Sequence, residues 1–399
     1  MEKKKINCKY LLIILLIFLK PGFNKNEIEI IMNKTLGNEI IYSGKVNNID
    51  SYYLKHISEV IINGIPSNMN DYTDLLNYGL NDIIIKFNDK LVTCERMFYK
   101  LDNIVYVDFS YFFSLNVEDM NYMFYHCTSI VSLIINNFNT SYVIDMRYMF
   151  AGCTSLISLN INNFNTSSVT DMGYMFVTCR SLITLDLNNF NTSSVTNMMH
   201  MFESCHSLVS LNINNFDTSS VEDMNFMFGV CSSLVSLNIN NFDTSSVTRM
   251  SDMFFSCSSL VSLNLENFNT SSVRDMMYMF CQLLRLVSLN INNFDTSSVT
   301  NMGYMFMNCV SLTSLNLNNF NISSVTYMPE MFKYCRSLVS LNLTNFDVNI
   351  SYINDMFESC NENLKYCIDD NKNYNFLDQL KDYEKNCGDI CITYSSKNI

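Results

Sequence analysis

Cysteine recurs every 26 residues through most of this chain, and a regular row of thiols can form disulfides or bind a soft metal ion. If successive repeats stack in parallel, equivalent Cβ atoms lie about 4.8 Å apart, slightly too far for an unstrained disulfide. In one repeat Leu283 takes the place of the cysteine, and no CxxC pair or suitably spaced histidine accompanies the row. The pattern therefore predicts buried small side chains and no metal site. The row comprises Cys127, Cys153, Cys179, Cys205, Cys231, Cys257, Cys309, Cys335 and Cys360.

A group of four cysteines lies near the C-terminal end of the sequence: Cys360, Cys367, Cys387 and Cys391. In an oxidising compartment we expect them to form one or two disulfides that close this end of the chain. The sequence does not determine which of the four are paired.

Acidic residues form a second row, just before the first methionine of each repeat. Carboxylates that recur in every coil could bind Ca²⁺ along one edge. Arg249 and Tyr327 interrupt this row, which weighs against a metal ladder, and the same side chains would stabilise the first turn of a helix. We therefore favour a capping role and predict no metal ion. The row comprises Asp145, Asp171, Asn197, Asp223, Asp275 and Asn301.

Aromatic residues precede the methionine of each Met-Phe pair. On an ideal helix this position lies about 150° from the centre of the apolar face, which predicts an exposed row of rings. Such a row is a candidate binding stripe. In the alternative interpretation the segment is not an ideal helix and the rings pack between coils. The row comprises Tyr122, Tyr148, Tyr174, Phe226, Tyr278 and Tyr304, with His200, Asp252 and Glu330 as exceptions.

Small polar residues alternate with the leucines of each repeat, so they should share one outward face of a strand. Because these side chains barely vary from repeat to repeat, the face suits weak multivalent contact better than one tight ligand. Alternatively, the asparagines hydrogen-bond along the stack and need no ligand. The candidate strand-face surface comprises Ser158, Asn160, Asn162, Ser210, Asn212, Asn214, Ser236, Asn238 and Asn240.

The sequence offers little support for catalysis. The four histidines lie in no nucleophile, metal or acid-base motif, and no glycine-rich phosphate loop is present. The formal net charge is -13, which argues against nucleic acid or an anionic membrane surface as a partner. We predict a protein that is not an enzyme, with no cofactor, no small-molecule substrate and no nucleic-acid partner.

Tandem repeats hold these rows of residues in place. Met-Phe pairs recur every 26 residues from Met123–Phe124 to Met331–Phe332; Met97–Phe98 keeps the same step, and Met356–Phe357 arrives one residue early. Such self-similarity predicts a solenoid, because one repeat cannot bury its apolar face alone.

Each repeat predicts a strand, a turn and a short helix. In the repeat that begins at Leu156, the pattern LxxLxL indicates a strand, and Asn-Thr-Ser-Ser indicates a turn. The apolar residues that follow fall at spacings typical of one helix face: Val169, Met172, Met175, Phe176 and Cys179. We therefore predict an α/β solenoid of about ten 26-residue repeats with terminal caps.

The pattern NFNTSSVTDMxxMFxxCxSLxSLNI resembles the BspA-like leucine-rich repeat family of surface proteins, which includes mycoplasma-type repeat lipoproteins. The resemblance extends over roughly residues 104–357. It implies a right-handed, leucine-rich-repeat-like coil whose strand face is the usual binding surface. It also implies a secreted or cell-surface protein that binds other proteins or host surfaces.

The two ends of the chain differ from the repeats. A basic start before the apolar run of residues 10–19 predicts a signal peptide over residues 1–22, or an uncleaved anchor, since no A-x-A site follows. Residues 23–100 are predicted to form an N-terminal cap with a degenerate first coil, residues 101–357 the solenoid, and residues 358–399 a cysteine-containing C-terminal cap. The predicted cap strands are Glu39–Val46, Ser58–Asn63 and Asn81–Phe87.

Eight N-x-S/T sequons occur, and five of them share one turn of the repeat. In a secreted eukaryotic chain this edge would be a candidate for glycosylation, although an Asn- and Ser-rich repeat generates sequons by composition alone. The five candidate sites are Asn139, Asn165, Asn191, Asn269 and Asn321.

The expected function is adhesion outside the cell. We expect a secreted or cell-surface protein that binds proteins or glycans on another cell or matrix. Membrane contact would come only through the N-terminal segment or an anchor missing from this sequence. Two alternatives stay open: an intracellular scaffold for protein interactions, and a self-assembling structural surface coat.

Overall fold

The computed structural model describes residues 27–34, 53, 55–67, 78–88, 91–112, 116–135, 137–344, 346, 352–369 and 377–387. Over these residues the chain is a β-solenoid of about ten coils with almost no helix. The predicted repeat and solenoid are therefore confirmed. The predicted α/β class with short leucine-rich-repeat-like helices is wrong. The predicted signal peptide and the predicted strand at Glu39–Val46 lie outside the described residues.

The described elements are short strands that stack in sequence order after residue 104. Helix α1 spans only Leu377–Leu380. The strands are β1 Glu27–Lys34, β2 Ile57–Ile62, β3 Ile65–Ser67, β4 Gly79–Phe87, β5 Ile104–Tyr111, β6 Ser132–Ile134, β7 Thr184–Asp186, β8 Ser210–Asn212, β9 Ser314–Asn316, β10 Ser340–Asn342, β11 Lys365–Cys367 and β12 Glu384–Lys385.

The N-terminal strands form a sheet that continues into the solenoid. Its strand order is β3-β2-β4-β1-β5-β6, and the pairs among β1 to β5 are antiparallel. From β5 onward the pairing is parallel, because each coil lays its strand beside the equivalent strand of the coil before. We name each coil by the residue that begins its strand segment, as in the Leu156 coil. This junction gives the first coil a partner on its N-terminal side.

The segment predicted to be helical is a run of β-turns. In the Leu156 coil, the N–H of Met175 donates to the carbonyl of Met172 at 3.3 Å, and two further turns follow. The alternate N–H groups, at residues 172, 174, 176 and 178, donate instead to carbonyls of the next coil at 2.7–3.1 Å. Each such segment therefore forms a ladder with its neighbours, and a parallel bridge runs from coil to coil between Thr93 and Tyr352.

The helix prediction failed because apolar spacings of three and four residues fit both structures. Left-handed backbone at Tyr174 and Thr178, with φ of 60° and 63°, is incompatible with a right-handed helix. A positive φ at the third residue is what a type II turn requires. Ser168, which precedes this segment, caps no helix: its Oγ donates to the Ser141 carbonyl of the preceding coil, at 3.2 Å.

The core is one continuous stack of identical layers. The phenylalanine of each Met-Phe pair lies face to face with its equivalent in the next coil, with centroids 5.3–6.0 Å apart. Leucine, methionine and valine columns pack around this stack and are almost completely buried. At the corner, buried Thr166 donates its hydroxyl to the Asn191 carbonyl of the next coil at 2.8 Å. Bonds between coils therefore satisfy the buried threonine hydroxyls at this corner.

The C-terminal end is closed by α1 and a disulfide. Gln379 of α1 accepts the N–H of Met356 and donates to the carbonyl of Ile353, both at 2.9 Å. The bridge joins Cys367 in β11 to Cys387, just beyond β12. Cys360 does not share it: its thiol donates to the Phe332 carbonyl and ends the cysteine column. Cys391 lies outside the described residues.

We predict that reduction loosens this end alone. The bridge closes a loop of about 20 residues, so its loss should cost about 3 kcal/mol of local stability. In a solenoid, each coil depends mainly on its neighbours. Amide hydrogen exchange should therefore accelerate around β10 and β11 on adding reductant and stay unchanged around β7. A Cys367→Ser/Cys387→Ser variant should show the faster exchange without reductant. Unchanged exchange at β11 in the reduced wild type would contradict this role.

Candidate binding surface

The strand face carries three outward positions per coil. In the Leu156 coil these are Ser158, Asn160 and Asn162, all exposed. The other candidate residues take equivalent places: those of the Leu208 and Leu234 coils are also exposed, except half-buried Asn212. A shallow depression of about 470 Å³ lies over the Leu234, Leu260 and Leu286 coils, and its lining includes Ser236, Asn264 and Glu266. The face is therefore accessible and polar, without a deep pocket.

Asparagine side chains tie this face together along the stack. Asn215 Nδ2 donates to the Asn188 carbonyl at 3.0 Å, and the same bond recurs in several other coils. Across the strand columns, Asn238 Nδ2 donates to Asn214 Oδ1 at 2.8 Å. The inner asparagines thus bond to the backbone, while outer ones such as Asn160, Asn162 and Asn240 are exposed to solvent.

An exposed aliphatic row borders the Ser and Asn columns, and the sequence reasoning missed it. It occupies the second position of LxxLxL, and each member has 43–52% of its surface exposed. The first and fourth residues of LxxLxL are leucines that face the core. A search for the leucine pattern therefore passes over the exposed second residue. We call these residues the aliphatic row: Ile157, Ile183, Val209, Val235, Val261, Val287 and Val339, with Thr313 in the remaining coil.

The strand face is nearly free of charge. Among its outward positions from Ser158 to Thr344, only Asp186 and Glu266 are ionisable. We call the face formed by the β-turn segments, such as residues 172–179, the turn side. Unlike the strand face, it carries an acid in most coils. An uncharged face with an aliphatic row resembles the core of a protein interface more than an ordinary surface.

The candidate aromatic residues lie on the turn side, half-buried and stacked ring on ring. Tyr122, Tyr148 and Tyr174 stack at 4.5 and 4.4 Å between centroids, with planes within 8° of parallel. His200 and Phe226 continue the stack at 4.5 and 4.8 Å. Beyond Asp252, the pair Tyr278–Tyr304 stacks in the same way at 4.5 Å. The rings thus contact one another face to face and present mainly their edges.

The residues that carry the stacked rings have strained backbone. Every ring of the aromatic column is attached to a left-handed residue, such as Tyr148 with φ of 57°. A non-glycine residue there costs about 1 kcal/mol, and face-to-face ring contacts recover a comparable amount. At the N-terminal end, the Arg96 guanidinium lies 5.2 Å from the Tyr122 ring centroid and covers the stack. Burial raises the pKa of Tyr148, so its phenol stays neutral.

The acidic row caps turns. Asp171 Oδ1 accepts the N–H of Gly173 at 2.9 Å, and the equivalent bond forms at Asp145, Asp223 and Asp275. Basic side chains also pair with this row, as when Arg249 lies 3.1 Å from Asp223. Among the described residues, no three acids, histidines or cysteines are grouped as metal ligands would be.

The cysteine column is buried and structural. Each thiol donates to a phenylalanine carbonyl of the preceding coil, as from Cys153 to Phe124 at 3.3 Å and from Cys179 to Phe150 at 3.1 Å. Burial raises the pKa of these thiols, to about 12 at Cys257. A protonated, buried thiol is a poor nucleophile, so this column offers no covalent chemistry.

The candidate glycosylation sites cap a different turn. In each, the Asn side-chain oxygen accepts the N–H of the serine two residues later at 3.1 Å. Asn165, Asn191, Asn269 and Asn321 are exposed, and Asn139 is half-buried. Asp217 makes the same bond, so the position has a structural role that needs no glycan. Glycosylation stays a prediction.

We predict that the aromatic stack stabilises the turn side. Tyr148→Ser removes two stacked contacts and leaves a left-handed residue uncompensated, so it should cost about 2 kcal/mol of unfolding free energy. Tyr148→Phe keeps the ring and should be nearly neutral. Tyr142→Ser is the control, since that side chain is 55% exposed. Denaturant unfolding would measure all three, and a Tyr148→Ser protein as stable as the wild type would refute the stabilising role.

We also predict a pH effect at Asp252, which occupies the aromatic position but is only 9% exposed. Burial, with Asp275 nearby, raises the pKa of Asp252 to about 7. An unfolded aspartate titrates near pH 4, so the folded state binds more protons and loses stability as pH rises from about 4 to 7. Asp252→Asn should therefore match the wild type near pH 4 and exceed it by up to about 4 kcal/mol near pH 8.

Asp243→Asn is the matched control for this effect. Hydrogen bonds from Ser245 lower the pKa of Asp243, so its carboxylate contributes stability above pH 4 and loses that contribution in acid. The control should therefore change the pH dependence in the opposite direction. Identical pH profiles for Asp252→Asn and the wild type, measured by denaturant unfolding, would contradict the prediction.

Comparison with known proteins places the repeats in a family. A family described as "Mycoplasma protein of unknown function, DUF285" matches residues 92–210, 180–282 and 261–370. Among curated proteins, none matches the chain. No helix of the described residues is long and apolar enough to cross a membrane. The matched stretches together span well over half of the sequence and coincide with the stacked coils, so the chain belongs to this repeat family.

Proposed function

We propose that the protein is a non-enzymatic adhesion protein, secreted or held at the cell surface, whose strand face binds proteins or glycans of another cell or matrix. The observation that carries this proposal is the aliphatic row beside uncharged Ser and Asn columns. Exposed apolar residues in a continuous row mark interaction sites on soluble proteins, whereas scattered ones do not.

The chemistry of the face favours many weak contacts. Serine and asparagine both donate and accept hydrogen bonds, so they can pair with peptide groups or with sugar hydroxyls. The same columns recur in each coil, so one partner molecule can engage several coils at once and gain avidity. The resemblance to BspA-like leucine-rich repeat proteins supports the same face, although the turn side of this chain carries no helices.

The disulfide supports a location outside the cytoplasm. Cys367 and Cys387 are bridged, and stable bridges are typical of oxidising compartments. The sequence pattern of residues 1–22 points in the same direction. N-terminal sequencing and intact mass of the protein from its native source test this part. A start near residue 23 is expected, and an intact Met1 with all thiols free would favour the intracellular scaffold.

We predict that charge on the aliphatic row abolishes adhesion. Val235→Lys/Val261→Lys should weaken binding to fibronectin-coated or mucin-coated surfaces at least tenfold, because each lysine disrupts apolar contact. Thr196→Lys/Thr300→Lys is the matched control on another edge, where Arg274 already occupies the same column. Surface plasmon resonance with the full chain is the measurement. Equal binding by the two double variants would refute the strand face as the adhesive surface.

A further inference from the structure

We propose that the partner on the strand face is a second copy of this chain, docked face to face with the two solenoid axes antiparallel. This rests on the proposed function and names the partner for the same surface. The chain would then mediate homophilic adhesion, joining like molecules on facing surfaces.

The first argument is the distribution of charge. The chain has a formal net charge of -13, so two copies repel each other over most orientations. The strand face holds only Asp186 and Glu266 across eight coils, from the Leu156 coil to the Leu338 coil. Contact between two strand faces therefore avoids the repulsion that opposes contact through the turn sides.

The second argument is the repeat spacing. Parallel strands stack about 4.8 Å apart, so the aliphatic row presents one side chain at each such step over roughly 34 Å. A second copy has this spacing by identity and can match every step of the row. An extended peptide advances about 3.3 Å per residue, so within two coils its side chains no longer match the 4.8 Å spacing of the row.

The third argument is the area. The outward strand segment from Ile157 to Asn162 is about 20 Å long. Outward side chains are exposed or half-buried in the seven coils from Leu156 to Leu312, which extend about 34 Å, whereas Asn342 of the Leu338 coil is buried. The accessible projected face is therefore roughly 680 Å² per copy, or about 1,400 Å² for the pair. That is the size of a standard, specific protein interface.

Symmetry then sets the orientation. A twofold axis along the strands places the aliphatic row of one copy on the aliphatic row of the other, and Asn columns on Asn columns. A twofold axis along the solenoid would place the aliphatic row on asparagine instead, burying polar groups against apolar ones at a cost. The first operation reverses the solenoid axis, so the copies are antiparallel, and the interface is isologous.

One register places six members of the aliphatic row opposite another member, places Ile183 opposite Thr313, and keeps the acids apart. In it, Val235 lies opposite Val261 of the second copy, and Val209 lies opposite Val287. The coil of Asp186 then faces Asn316, and the coil of Glu266 faces Asn240. A shift by two coils toward the N-terminal end would bring the Asp186 coil onto the Glu266 coil, which like charges disfavour.

The test begins with the mass of the full chain in solution. Sedimentation equilibrium over a wide concentration range should give twice the chain mass at high concentration. Val235→Lys/Val261→Lys should weaken self-association at least tenfold, and Thr196→Lys/Thr300→Lys should leave it unchanged. A monomer at every concentration, or a dimer that persists in the Val→Lys variant, would overturn the proposal.

Cross-linking tests the orientation. Chains with Val209→Cys and chains with Val287→Cys should cross-link in a mixture with a short bismaleimide, and each alone should cross-link several-fold less. The column cysteines are protonated and, apart from half-buried Cys360, buried, and wild-type chain treated alike gives the background. Dimers without this preference for the mixture would overturn the antiparallel arrangement.

Failure here differs from failure of the proposed function. If the chain stays monomeric and the Val→Lys variant still loses binding to fibronectin or mucin, the strand face is adhesive but its partner is foreign. If the variant neither dissociates a dimer nor loses surface binding, both proposals fall. If the wild type dimerises and the Val→Lys variant dissociates, the partner proposed here is supported.

Discussion

The structure depends on backbone hydrogen bonds that run from each coil to the next on the turn side. Alternate N–H groups of residues 172–178 donate forward by 25 residues, while those of Met175 and Val177 close β-turns within the coil. A segment can do both only if two of its residues adopt left-handed backbone. The remaining columns of the molecule follow from this alternation, because it fixes which side chains point inward and at what spacing.

The strained positions explain the otherwise puzzling choice of side chains. Asparagine or glycine would suit left-handed backbone best, yet Tyr148 and Tyr174 occupy it. Their rings stack at 4.4 Å, and the Phe150 and Phe176 rings beneath them stack at 5.5 Å. Stacking between coils thus offsets local strain, so the stability of one coil is inseparable from that of its neighbours.

The same constraint leaves the outward positions of the strand side free to vary, and they vary little. From the Leu156 to the Leu338 coil, the face repeats an aliphatic residue, a small hydroxyl residue and asparagines. Such uniformity cannot build one pocket for one ligand, but it suits a partner with a matching repeat. The buried cysteine and threonine side chains donate hydrogen bonds to backbone carbonyls of adjacent coils. These bonds explain why the two residue types recur in the repeat, without any catalytic role.

Local sequence periodicity is sufficient to establish the period of 26 residues, the stacking of coils, and the inward or outward direction of most side chains. Leu156, Met172 and Phe176 could be placed in the core because burial follows local periodicity. Tertiary structure alone decided between helix and turns in residues 169–179. Spacings of three and four residues fit both, and the deciding bond partners lie 25 residues away in the next coil.

Tertiary structure also decided the contacts that only stacking creates. Three features depend on which residues adjoin across coils: the ring-on-ring column from Tyr122 to Phe226, the pairing of Cys367 with Cys387, and the alignment of the aliphatic row. A sequence pattern states which side chains recur, and only the stack places equivalent side chains about 4.8 Å apart.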